Sequence, residues 1–65
     1  MTPAQEFHAA AMMVTGLHGS FAACIGSAYF AADHINRARL LAAFPEIFAT
    51  AYQFHHPKME IVTNE

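Results

Sequence analysis

Histidine has the widest chemical range of any side chain in this sequence, and there are five: His8, His18, His34, His55 and His56. Neutral imidazole ligates metals, and it takes up a proton near pH 6.5. The spacing argues against a local metal site. Neither H-x-x-x-H nor H-E-x-x-H occurs, and neighbours on a helix, such as His55 and His56, point about 100° apart. A site would have to gather the 55–56 pair with His8, His18 or His34, and no periodicity calls for that. The histidines are therefore expected to be solvated or to cap helices, with no metal, haem or other cofactor. Cys24 stands in an apolar stripe, where a thiol acts as a small hydrophobe. Ser20, Ser27 and Asp33 are the other candidate reactive groups, but no spacing pairs a nucleophile with a base or one carboxylate with another. Four short helices also leave little room for a pocket of about 300 Å3. Enzymatic activity is not expected.

Binding is the remaining class of function. Arg37, Arg39 and Lys58 are the only firm cations, and the net charge is −2 with histidine neutral. A turn near residue 33 followed by "NRARLLAAF" has the outline of a helix-turn-helix, with Arg37 and Arg39 on the recognition helix. The charge balance disfavours that reading, because nucleic-acid binders carry a basic footprint. The bland alternative is that Arg37 pairs with Asp33 four residues earlier and Arg39 is solvated.

The elements that would position these groups are all helical. Thr2 caps, Pro3 suits a first helical position, Gln5 completes a capping box, and Glu6 complements the helix dipole. Phe7, Ala10, Ala11, Val14 and Leu17 then recur at helical spacing, with Gly16 as a left-handed stop. A first helix over about 3–15 follows. Met12 and Met13 on it are expected in the core or in a dimer seam. Ser20 is placed to cap a second helix over about 21–32, with one stripe through Phe21, Cys24, Ile25, Ala28 and Ala32 and another through Ala22, Gly26 and Phe30. A helix apolar on two sides expects cover on two sides, in a central position or at a dimer seam. Gly26 in its interior predicts a close backbone approach. Asp33 favours a break and a new cap. Arg37, Leu40, Leu41, Phe44, Ile47, Phe48, Ala51 and Tyr52 share a face across Pro45. Proline breaks a helix interior but opens a new helix well. Helices over about 34–43 and 45–54 are therefore expected, with a kinked continuous helix as the close alternative. The expected core is Phe21, Ile25, Leu40, Leu41, Phe44, Ile47 and Phe48. Residues 55–65 break the pattern and read as a frayed tail.

Sixty-five residues allow one domain at most, here an all-α compact bundle of three to four short helices. A chain this short buries only about 60% of its unfolded surface. One cysteine permits no internal disulfide, which points to a reducing cytoplasm. The 55% hydrophobic content is rich in alanine, which buries little area, so a second copy is expected to supply more burial and a homodimer follows. No Asp, Glu, Lys or Arg occurs from Phe7 to Ala32, yet "TGLHGS" divides this stretch into apolar pieces of about a dozen residues. A span needs about 20, so a membrane helix is not expected. Nor is a signal peptide, since no cationic start precedes an apolar block.

The segment "ADHINRARLLAAFPEIF" (32–48) resembles a group of short helical proteins encoded by phages and prophages of proteobacteria. The shared features are Gly19-Ser20-Phe21 before an alanine-rich helix, Ala32-Asp33, Asn36-Arg37, Arg39-Leu40, Ala43-Phe44-Pro45 and Phe48. They span residues 19–48, close to half the chain. The resemblance implies a phage or prophage origin and carries over no catalytic residue or cofactor. Small phage proteins often bind and redirect host proteins, so the expected function is a protein–protein interaction module acting on a host or phage protein. Tyr29, Arg37, Arg39, Tyr52 and His55 are the expected partner contacts, as exposed, well-anchored groups.

Overall fold

The computed structural model describes residues 1–56. The expected tail lies, from residue 57 onward, outside the described residues. Four helices follow in order: α1 (Pro3–Met13), α2 (Ser20–Ala31), α3 (His34–Ala43) and α4 (Pro45–His55). No strand occurs among the described residues. The architecture is all-α, as the sequence predicts. None of the helices among the described residues is long and apolar enough to cross a membrane.

Local chemistry explains each boundary. At the start of α1 the capping box forms in both directions: Gln5 N–H donates to Thr2 Oγ1 at 3.2 Å, and Thr2 N–H donates to Gln5 Oε1 at 3.0 Å. The helix ends at Met13, two residues earlier than expected. Beyond it the backbone tightens into i−3 bonds, Thr15 N–H to Met12 and Gly16 N–H to Met13, and the Thr15 hydroxyl also donates to the Met12 carbonyl. Gly16 is left-handed (φ 88°), but it stands in the turn three residues past the helix end rather than at the helix stop that the sequence predicts. Gly19 (φ 93°), rather than Ser20, occupies the N-cap of α2. The break near residue 33 is sharp. Ala32 is extended (ψ 149°) and Asp33 caps α3 by accepting from Asn36 N–H at 2.8 Å.

Pro45 opens α4, and a single residue, Phe44 (φ −131°, ψ 51°), is both the C-cap of α3 and the N-cap of α4. Phe44 N–H still donates to the Leu40 carbonyl at 2.9 Å. Thus the proline marks a corner between two helices, not a kink in one. It needs no donor at that position, because a first helical residue has no partner for its N–H.

The core differs from the expected one in both centre and phase. It comprises Ala9, Ala10, Met13, Ala22, Ile25, Tyr29, Phe48, Ala51 and Tyr52. α1, not α2, lies at the centre, with α2 and α4 packed against it. Gly26 shows how closely α1 and α2 approach: a Cβ placed there would lie 2.9 Å from the Ala10 carbonyl oxygen and 3.0 Å from Met13 Cβ. Small residues face the seam on both helices, so the larger apolar side chains rotate outward. Phe7, Val14 and Leu17, which the helical spacing predicts as part of a buried stripe, are exposed. Phe21 is 58% exposed, with its ring edge-on to Phe44 at 5.6 Å. Cys24 faces solvent and is not a core hydrophobe.

Of the other expected core residues, Ile25 and Phe48 are buried, while Leu40, Leu41, Phe44 and Ile47 are only partly buried against the core. α3 has no buried residue at all. It covers the outside of the α2 and α4 layer rather than filling the interior. Met13 is fully buried, in line with the core reading for the methionines, and Met12 is half-buried.

Candidate interaction surface

Two clusters of functional side chains emerge from this packing. The first joins α1, α2 and α3. Arg37 Nε–H donates to the Tyr29 carbonyl at 2.9 Å, and its guanidinium carbon lies 4.8 Å from the Tyr29 ring centroid. The carbonyl belongs to the last turn of α2, whose C-terminal oxygens favour a cation. Arg37 therefore reaches back to α2, where the sequence spacing pairs it with Asp33. The Tyr29 hydroxyl donates to Glu6 Oε1 at 3.5 Å. Burial pushes the Tyr29 phenol above its ordinary range; the Glu6 carboxylate adds to the shift and Arg37 opposes it. A shallow groove of about 270 Å3 beside this cluster is lined by Pro3, Glu6, Tyr29, His34, Arg37, Ala38 and Leu41.

The second cluster gathers histidines from distant parts of the chain. His18, in the α1–α2 connection, and His55, at the end of α4, bring their Nε2 atoms within 3.4 Å. Phe54 packs edge-on against both rings, at 5.3 Å from His18 and 5.0 Å from His55. Nearby, His56 stacks on Tyr52 at 4.3 Å, and its Nδ1 lies 3.0 Å from the Tyr52 carbonyl. His8 meets the His56 ring edge-on at 5.9 Å. Among the described residues, no three histidine, cysteine, aspartate or glutamate side chains gather as a metal cluster. His34 stands apart at the start of α3.

The expected contact residues divide accordingly. Tyr29 and Tyr52 are core residues, 3% and 4% exposed, so the expectation that they stand at the surface is corrected. The Tyr29 hydroxyl reaches Glu6 of α1 from a buried ring, a placement that large amphipathic side chains favour. Arg37 is half-buried and committed to α2. Arg39 is exposed, 3.4 Å from Asn36 Oδ1. His55 is half-buried against His18.

The surface that sequence reasoning missed is apolar. Phe7 of α1 (53% exposed) and Val14, the C-cap that follows the helix (42%), lie seven residues apart. Phe7 meets Phe30 of α2 edge-on at 5.2 Å. Val14 lies over Gly26, its Cγ1 only 3.0 Å from where a Cβ would stand. Together these form an apolar ridge along the α1–α2 seam, on a stretch without a charged residue from Phe7 to Ala32. The available signal was Gly26 itself. A helical glycine opposite an alanine-rich helix implies backbone contact, which displaces bulky neighbours to the flanks.

Comparison with protein-family models, with curated proteins and with solved structures finds no match to this chain.

Proposed function

We propose that this chain is a small helical protein–protein interaction module that forms a homodimer through the α1–α2 ridge and engages a host or phage protein. The observation that carries the reading is the uncharged ridge of Phe7, Val14 and Phe30. A short chain gains little from exposing phenylalanine, whereas covering such a patch recovers about 25 cal/mol per Å2 of apolar area. Alanine-rich helices leave the interior thin, and a second copy restores burial that one copy lacks. The resemblance to short phage and prophage proteins directs the search for a second partner to host and phage proteins. Action by occupying a partner's surface requires no chemistry from the chain.

Light scattering of the purified chain tests the dimer directly. The expected mass is about twice the 7.1 kDa of one chain. A double substitution, Phe7→Glu with Phe30→Glu, is expected to return the mass to that of one chain without loss of helical circular dichroism. A wild-type monomer at high concentration, or a dimer indifferent to the double substitution, defeats the proposed seam. Recovery of a specific protein from bacterial lysate by the tagged chain, lost in the same variant, tests the second partner.

A further inference from the structure

We propose that His18 and His55 form a two-nitrogen site for a borderline divalent cation, Zn2+ or Cu2+, at the open end of the α1–α4 pair. The distance between the two Nε2 atoms is 3.4 Å. At that distance one ring can donate to the other, with the roles set by the tautomers, and a shared cation would take the place of this hydrogen bond. The separation is also close to the edge of a metal coordination tetrahedron. Zinc–imidazole bonds of about 2.0–2.1 Å at the tetrahedral angle hold two nitrogens about 3.3 Å apart. The ring centroids are 5.5 Å apart, so the Nε2 atoms are the nearest parts of the two rings and both point into the space between them.

Three features of the surroundings favour a cation there. His55 is the last residue of α4, and the unpaired carbonyls of a helix C-terminus carry partial negative charge. Among the described residues, the groove beside His18 is lined by Phe21, Ala22, Glu46, Ile47 and Thr50, with a carboxylate and no arginine or lysine. Phe54, itself 68% exposed, packs edge-on against both rings and covers one side of the pair. Imidazole suits zinc and copper, and copper binds such donors more tightly. Both rings are half-buried rather than sealed, so solvent supplies the remaining ligands and the cation enters without unfolding. The pair is separated by 37 residues, which is why no spacing motif announces it. This inference stands apart from the proposed dimer, which uses the α1–α2 ridge.

The test is calorimetric titration of the full chain with zinc chloride, and separately with copper chloride, in a buffer that does not bind metals. Saturable binding is expected, tighter for copper. His18→Gln and His55→Gln should each weaken it by more than the about 10–100-fold typical of losing a supporting group around a metal. His34→Gln, remote from the pair, should leave it unchanged. Imidazole proton resonances of His18 and His55 should broaden or shift first on addition of metal. The assignment is overturned if wild type shows no saturable binding at millimolar metal. It is equally overturned if both substitutions leave binding intact, or if binding is lost instead in His8→Gln or His56→Gln. Circular dichroism of each variant separates loss of a ligand from loss of fold.

Discussion

Replacing Gly26 with alanine sets two effects against each other. In an exposed helix the change stabilises, because alanine exceeds glycine in helix propensity by about 1 kcal/mol. At Gly26 the added methyl meets the Ala10 carbonyl oxygen at 2.9 Å and both Met13 Cβ and Val14 Cγ1 at 3.0 Å. The first is backbone and the second is bonded directly to it, so neither contact is relieved by a rotamer change. α1 must move away from α2, and the motion spreads to Ala9 and Met13, which are fully buried. Overpacking of this kind costs about 1–3 kcal/mol. The net expectation is a loss of about 1 kcal/mol, or about 4–8 °C in midpoint for a chain of this size. Thermal and urea unfolding followed by circular dichroism measure it. Exposed Ala28→Gly, two residues along α2 and so about 200° round the helix from Gly26, serves as a control that reports propensity alone. If Gly26→Ala melts at or above the wild-type temperature, the close approach of α1 and α2 is wrong and the glycine is an ordinary weak point.

Phe48→Ala removes a fully buried ring and should cost about 3–5 kcal/mol, whereas Leu41→Ala, at a partly buried position, should cost clearly less; equal losses in urea titrations would reverse the layering of α3 over the core. Thr2→Ala deletes one half of the capping box and should lower stability by about 1 kcal/mol, read from the unfolding midpoint. The Tyr29 phenol is raised in the folded state, so its contribution is present below the ordinary tyrosine range and is lost as pH climbs through its folded value. Alkaline unfolding at stepped pH should show this fall in stability, and Tyr29→Phe should remove it. Cys24 is exposed, so one thiol per chain should react with a disulfide reagent in native buffer, and a thiol titratable only after denaturation would return it to the core.

Residue types at the ends of elements carried most of the legible information. Thr2, Gln5, Asp33 and Pro45 each act through local backbone chemistry, which does not depend on what packs nearby, and each stands where its chemistry predicts. The phase of α1 was not legible in the same way. Its stretch from Phe7 to Val14 is apolar on nearly every side, so size decides which face turns inward, and the small face won because Gly26 and Ala22 invite it. Large residues are the usual markers of a core, and here Phe7 and Val14 mislead for that reason. Tyr29 and Tyr52, expected as exposed and well-anchored contacts, instead provide with their buried rings the bulk that the alanines lack. The histidine pair was invisible for a third reason: proximity across 37 residues is a property of the closed chain, with no trace in local spacing.

The corner at Phe44 leaves the second half of the chain without slack. One residue serves two helices, so adding or deleting a single position there would turn α3 by about 100° relative to α4. Leu40 and Leu41 would swing off the core and Arg37 would lose its grip on the end of α2. Length changes in most connections are cheap, because loop entropy rises slowly with length. Here the helices mesh like gear teeth on a fixed shaft, and viable variants of this protein should change the residues of that joint long before they change their number.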